Sequence, residues 1–64
     1  MMYTLTIYYY NQKTKKSNFS SFRYKTAERA FQHYQQEIIK PEVRLARIYR
    51  GNQEIFMWHK NIIC

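Results

Sequence analysis

Basic and aromatic side chains are the residues of this chain best suited to chemistry, and the chemistry they support is binding. The 64 residues include eleven Lys and Arg but only four acidic residues, all Glu, which gives a formal net charge of +7. Aromatic residues make up 19% of the chain, and seven of them are tyrosine. Cationic side chains neutralise phosphates and aromatic rings stack on bases, so this composition is typical of a surface that binds nucleic acid.

Catalytic and metal-binding sets are not evident in the sequence. The glutamates are scattered singly, and His33 and His59 are far apart, with His33 expected in solvent on the polar side of a helix. The single glycine excludes a glycine-rich phosphate loop. The lone cysteine, Cys64, allows neither an intramolecular disulfide nor a cysteine cluster. We therefore expect a non-enzymatic protein with no cofactor and no metal.

Residues 26–40 are the only segment with a helical period. Thr26 is suited to the N-cap, Glu28 to the first turn, and Pro41 to a position just beyond the end. One apolar face follows the i, i+3, i+4, i+7 spacing of an amphipathic helix: Ala27, Ala30, Phe31, Tyr34 and Ile38.

The first half of the chain predicts two strands, residues 2–10 and 19–25, joined by a basic turn at residues 11–18. Alternation in the first strand assigns four residues to the side beneath the helix: Tyr3, Leu5, Ile7 and Tyr9. Tyr8 and Tyr10 then belong to the opposite side. Phe19 has the wrong parity relative to Phe22, which predicts a bulge or a late start of the second strand.

The second half predicts a hairpin, because Gly51-Asn52 separates strand-like residues 42–50 from residues 53–60. Gly at the first central position suits a type II′ turn. A regular register from this turn places two sets on opposite sides of the hairpin. One set is Ala46, Ile48, Ile55 and Met57, and the other is Leu45, Arg47, Tyr49, Phe56 and Trp58. Residues 61–64 form a short tail, with Ile62 and Ile63 either docked on the core or extending the last strand.

These elements predict a single α+β domain, residues 1–64, of β-β-α-β-β order. One helix packs on a four-stranded, mainly antiparallel sheet. The chain is short, so its core is marginal and leaves little room for a deep pocket. It has no run of roughly 18 apolar residues, and its N-terminus lacks the features of a signal peptide. We expect a cytoplasmic protein that does not contact a membrane.

The sheet face that the helix leaves open is the predicted binding surface. We expect stacking by Tyr8, Tyr49, Phe56 and Trp58, with Tyr10 beside them. Phosphate contacts are expected from Lys13, Lys15, Lys16, Arg44, Arg47 and Arg50. These eleven residues are the candidate site for nucleic acid or for a partner with an acidic surface.

The same residues also fit three other interpretations. If the faces are reversed, Leu45, Phe56 and Trp58 belong to the core. The open face could instead form a homodimer, or dock on another protein, because Tyr, Trp, Phe and Arg are enriched at interface hot spots. The length and composition are also similar in style to those of small proteins of phages and mobile elements. That resemblance implies an inhibitor or adaptor that binds a host protein or ribonucleoprotein, for example a bacterial defence system.

Overall fold

The described residues, 2–60 of this computed structural model, contain one α-helix, α1 (Ala27–Glu37). Thr26 is its N-cap, as predicted, and its Oγ1 accepts a hydrogen bond from the backbone N–H of Arg29 at 3.3 Å. The helix ends at Glu37, with Ile38 as C-cap, shortly before Pro41. No helix in this part of the chain has the length and apolarity needed to cross a membrane.

Four strands form one antiparallel sheet in the order β2-β1-β3-β4. They are β1 (Tyr3–Asn11), β2 (Lys16–Tyr24), β3 (Val43–Arg50) and β4 (Gln53–His59). The predicted β-β-α-β-β architecture, with one helix on a four-stranded sheet, is therefore confirmed. The predictions for residues 61–64, including Ile62, Ile63 and Cys64, lie outside the described residues.

The core lies between α1 and the two central strands. Its buried members are Leu5, Ile7, Ala30, Tyr34, Val43, Ala46 and Ile48. Tyr3 and Tyr9 pack at its edge, so the inner side of β1 is the one that alternation predicted. This arrangement leaves the opposite face of the sheet without a covering element among the described residues.

The predicted facing of β4 is wrong, because a bulge interrupts the hairpin after its first pairs. Tyr49 pairs with Glu54, but Ile48 pairs with Phe56 instead of Ile55, so the register shifts by one residue. A shift of one residue moves every following side chain to the other face. Phe56 consequently packs against the helix, with its ring centroid 5.2 Å from that of Phe31 and 5.0 Å from that of Tyr34.

Trp58 follows the same shift and lies 6.4 Å from Tyr34, centroid to centroid. Two of the four residues proposed for base stacking, Phe56 and Trp58, are thus packed against the core. The reversed-face interpretation is correct for these two residues. It is wrong for Leu45, which pairs with Tyr8 on the open face.

β2 is longer and more regular than its sequence predicted. It begins at Lys16, so the loop between β1 and β2 is residues 12–15 and not residues 11–18. Its pairing with β1 is continuous from Tyr3↔Tyr24 to Asn11↔Lys16, without a bulge. Phe19 has the opposite parity to Phe22 for a simple reason: it lies on the open face, opposite Tyr8, and is 66% exposed.

A chain of polar contacts fastens α1 to the sheet, and it corrects the expected solvation of His33. The Nδ1 atom of His33 shares a hydrogen bond with the Tyr24 hydroxyl, and the His33 ring meets that of Phe22 edge-on at 4.4 Å. On its other side, His33 Nε2 lies 3.6 Å from Oε1 of Glu37.

Glu37 is the buried centre of this chain of contacts. Its Oε1 accepts a hydrogen bond from the Tyr9 hydroxyl at 2.9 Å, and its Oε2 forms an ion pair with Lys40. Burial alone would raise the pKa of the Glu37 carboxyl, but the hydrogen bonds from Lys40 and Tyr9 outweigh it and lower that pKa. Burial, with the hydrogen bond to Glu37, raises the pKa of Tyr9 to about 12.

Candidate functional site

The open face of the sheet carries a row of aromatic rings on β1 and β2, two of them exposed and one half-buried. Phe19 and Tyr8 face each other across the two strands, with ring centroids 5.8 Å apart and planes tilted by 32°. Tyr10 follows two residues along β1 on the same face and is also exposed. We call Phe19, Tyr8 and Tyr10 the aromatic strip. Tyr8 and Tyr10 lie on the face that the sequence predicted, whereas Phe19 was not among the residues expected there.

At the end of the sheet nearest Tyr10, a surface cleft gathers positive charge. The cations lining it are Lys13, Lys16, Arg44 and Lys60, and the acidic residue lining it is Glu42. We call this cleft the basic groove. Tyr10 lines the groove as well as belonging to the aromatic strip, so the two features adjoin at this residue.

Antiparallel pairing explains why residues distant in sequence meet in the basic groove. Four strand termini lie at one end of the sheet: the end of β1, the start of β2, the start of β3 and the end of β4. Two backbone hydrogen bonds connect them, from Tyr10 N–H to Glu42 O at 2.8 Å and from Lys60 N–H to Arg44 O at 2.9 Å.

The loop between β1 and β2 positions Lys13 and Lys16 through Asn11. The Asn11 Oδ1 accepts from the backbone N–H of Lys13 at 2.9 Å and of Thr14 at 3.3 Å, a pattern typical of an Asx-type turn. Lys15 closes the loop in the left-handed conformation, with a φ of 57°, and donates its N–H to Asn11 O at 2.7 Å.

Arg44 occupies a β-bulge that aims it at the aromatic strip. Tyr8 pairs with Leu45 and Tyr9 pairs with Val43, so Arg44 is the additional residue of β3. Its guanidinium carbon lies 5.9 Å from the centroid of the Tyr10 ring, within the range of a cation–π contact. Its Nε is buried and has no hydrogen-bond partner among the described residues.

Arg47 and Tyr49 also lie on the open face, but they are engaged with one another. Arg47 Nη1 donates to the Tyr49 hydroxyl at 3.4 Å, and Arg47 Nε lies 3.4 Å from Oε1 of Glu54. The hydrogen bond to Tyr49 raises the pKa of the Arg47 guanidinium. These contacts hold Arg47 in the middle of the face, away from the basic groove.

Not all of the predicted site residues come together. The structure unites Tyr8, Tyr10, Lys13, Lys16 and Arg44, and Lys15 lies in the adjoining loop. Arg50 lies at the opposite end of the sheet, where it pairs with Tyr3 and Gln53.

Lys60 was missed because it follows β4 by one residue, and only the fold brings it to Pro41, whose carbonyl oxygen accepts from Lys60 Nζ at 3.4 Å. Among residues 2–60, no group of three His, Cys, Asp or Glu side chains is arranged to hold a metal ion. Comparisons with protein-family models, with curated proteins and with solved structures return no match to this chain. The arrangement of this surface is therefore the basis for a functional proposal.

Proposed function

We propose that this protein is a non-enzymatic module that binds single-stranded nucleic acid along the aromatic strip and the basic groove. The observation that supports this most strongly is Phe19. Its side chain is 66% exposed and contacts the ring of Tyr8 on a face that also carries Tyr10. A domain this small has little apolar surface to bury, so leaving this ring exposed needs an explanation. Stacking on a base would bury that surface.

The division of roles follows from the geometry. The rings of Phe19, Tyr8 and Tyr10 are spaced along the strip, so successive unpaired bases stack on them. Beyond Tyr10 the backbone of the same strand enters the basic groove, where the lysines and Arg44 neutralise its phosphates. Single strands fit this arrangement because only unpaired bases offer their faces to side chains.

The charge of the groove gives a quantitative expectation. If each of the four cations Lys13, Lys16, Arg44 and Lys60 neutralises one phosphate, log affinity falls with log salt with a slope of about −2.8, taking about −0.7 for each contact on single strands. Replacing one of these cations with Ala reduces the slope to about −2.1. A base stacked on Phe19 contributes about 1–3 kcal/mol, so Phe19→Ala weakens binding roughly 5- to 150-fold.

The test is fluorescence anisotropy with labelled single-stranded DNA and RNA, measured over a series of salt concentrations. Wild type, Phe19→Ala and Lys16→Ala are compared with two matched controls. Lys25→Ala removes the same charge one residue beyond the far end of β2, and Ile39→Ala removes an apolar side chain that is 81% exposed outside the strip. We expect both controls to bind as wild type does.

Two results would contradict the proposal: an affinity that ignores salt, or Phe19→Ala binding as tightly as Ile39→Ala. A pull-down from host lysate, split into nuclease-treated and untreated halves, addresses the protein-binding alternative. A single protein or ribonucleoprotein that survives nuclease and is lost with Phe19→Ala would make the same surface that of an inhibitor or adaptor.

A further inference from the structure

The edge strand β2 lacks the usual protection against pairing with another strand. Natural edge strands carry bulges, prolines or central charges, and most are short. β2 runs for nine residues without a bulge or a proline, and residues 17–22 carry no charge. The other edge strand, β4, is shorter and its pairing with β3 is interrupted by the bulge at Ile55.

We propose that β2 pairs with β2 of a second copy of this chain, antiparallel and about a two-fold axis at Ser20. This register matches all nine residues of the strand, because Ser20 is its midpoint. It is isologous, as expected for a C2 dimer. The two sheets join edge to edge into one of eight strands, with both helices on the same side and both open faces on the other.

Overlap favours this register over its neighbours, because an axis at Phe19 would match only residues 16–22 and an axis at Ser21 only residues 18–24. Lys16 lies opposite Tyr24 of the second copy, and Ser17 lies opposite Arg23, so no two charges within β2 face each other. Beyond the strand ends, Lys15 and Lys25 lie opposite one another. A shift that places Phe19 directly opposite itself would instead bring Arg23 against Lys15. The strong positive charge of the chain lies largely outside the contact, because the centre of β2 is Ser17, Asn18, Phe19, Ser20, Ser21 and Phe22.

Phe19 gains a partner in this arrangement. It lies opposite Ser21 of the second copy, and the two Phe19 residues are diagonal neighbours on the open face, about 7–8 Å apart at the backbone and within reach of aromatic side chains. Two aromatic strips then form a single row across the dimer, with a basic groove at each end. The contact between the two β2 strands involves no nucleic acid, so the dimer is independent of the proposed function.

The experiment measures mass by size-exclusion chromatography with light scattering and by sedimentation equilibrium, from micromolar to submillimolar concentration. We expect a species of twice the 8.0 kDa monomer mass. Raised salt should strengthen the dimer, because it screens repulsion between two chains of charge +7. Nucleic-acid binding should weaken under the same change, so failure of one proposal is distinguishable from failure of the other.

Substitutions at Ser17 test the register in both directions. Ser17 is exposed, and two-fold symmetry places it opposite Arg23 twice in each dimer. Ser17→Glu creates two opposite-charge pairs and Ser17→Lys creates two like-charge pairs, each worth a few tenths to about 1 kcal/mol. The dimer dissociation constant should fall about 2- to 30-fold for Glu and rise by a similar factor for Lys.

The matched controls are Gln53→Glu and Gln53→Lys, which introduce the same charges as the Ser17 variants. Gln53 is exposed and lies in β4, the strand at the other edge of the sheet. They should leave the dissociation constant close to that of wild type, and circular dichroism should show all four variants folded. The proposal is overturned if wild type stays monomeric throughout, if the two Ser17 variants act in the same direction, or if the Gln53 variants have the larger effect.

Discussion

The hydrogen bond from Tyr9 to the buried carboxylate of Glu37 is expected to be a large part of the stability of this domain. Tyr9→Phe removes one hydroxyl and leaves the ring in place. The hydroxyl lies 2.9 Å from Oε1 of Glu37, whose side chain is 8% exposed and retains Lys40 as its other close partner. The substitution therefore isolates one charge-assisted hydrogen bond between β1 and α1.

A hydrogen bond to a charged group contributes about 1.5–3 kcal/mol. The lower end applies here, because Lys40 still compensates the carboxylate after the hydroxyl is lost. A domain of 64 residues has a total free energy of unfolding of roughly 3–10 kcal/mol, so the loss is a substantial fraction. At this size each kcal/mol corresponds to about 4–8 °C, and Tyr9→Phe should lower Tm by about 6–12 °C.

The assay is urea and thermal unfolding, followed by circular dichroism at several pH values. Because the folded pKa of Glu37 is lowered, its contribution is present above its ordinary value of 4.5 and is lost as pH falls through the folded pKa. The pKa of Tyr9 is raised from 10.0 to about 12, so its contribution is present below pH 10 and disappears as pH rises to about 12. The difference between wild type and Tyr9→Phe should be full at neutral pH and should shrink in acid and in strong alkali.

Tyr10→Phe is the matched control, because it removes a hydroxyl from the next residue of the same strand, on the exposed face. Its free energy of unfolding should lie within about 0.5 kcal/mol of that of wild type. Equal stabilities for Tyr9→Phe and Tyr10→Phe, or a difference that does not change with pH, would refute the reasoning.

Three further measurements test the fold and the assigned pKa of Tyr9. Trp58→Ala removes a ring packed against Tyr34 and should lower the free energy of unfolding, measured in urea, by about 2–3 kcal/mol. Unchanged stability together with lost binding would indicate that Trp58 lies on the open face. Gly51→Ala places a Cβ in empty space at a φ of 62°, so only backbone strain of about 1–2 kcal/mol is expected, and Gly51→Asn should cost less. In an alkaline absorbance titration, the tyrosine that ionises last, near pH 12, should disappear in Tyr9→Phe; its persistence would assign that pKa to another residue.

Much of the fold can be predicted from local sequence signals such as a capping residue, alternation and a turn glycine. Thr26 caps the start of the helix, although the helix ends at Glu37 and not just before Pro41, and the alternation of β1 identifies Leu5 and Ile7 as core residues. Gly51 marks the turn, and its positive φ agrees with the expected conformation at the first central position. Each of these predictions depends on a residue and its near neighbours only.

The errors share a different physical origin. Residues 55–58 are Ile, Phe, Met and Trp, and a run of four large apolar residues contains no alternation from which to read a face. A single bulged residue, Ile55, then decides that Phe56 and Trp58 face the helix. In β2 the side chains alternate regularly between the two faces of the sheet. A large apolar ring such as Phe19 is expected in the core, so its position on the open face resembled a bulge in the sequence.

The site residues that were missed depend on the tertiary arrangement. Lys60 reaches the basic groove because β4 ends beside the start of β3, a relation that depends on strand order. The surroundings of His33, which is outside the site, also depend on the tertiary arrangement. Its position on the helix predicted exposure to solvent, but Phe22 and Tyr24 of β2 pack against its ring.

The strand order has a consequence for how this chain is made. β1 is synthesised before the other three strands of this sheet, yet it occupies a central position and needs β3 on one side, with Tyr3 paired to Arg50. Leu5 and Ile7 therefore have only the β2 hairpin and the helix as neighbours until most of the chain has been synthesised. Such late, non-local pairing slows folding and leaves apolar strands open to aggregation. Truncation before Val43 should thus yield an aggregating fragment in place of a smaller folded unit.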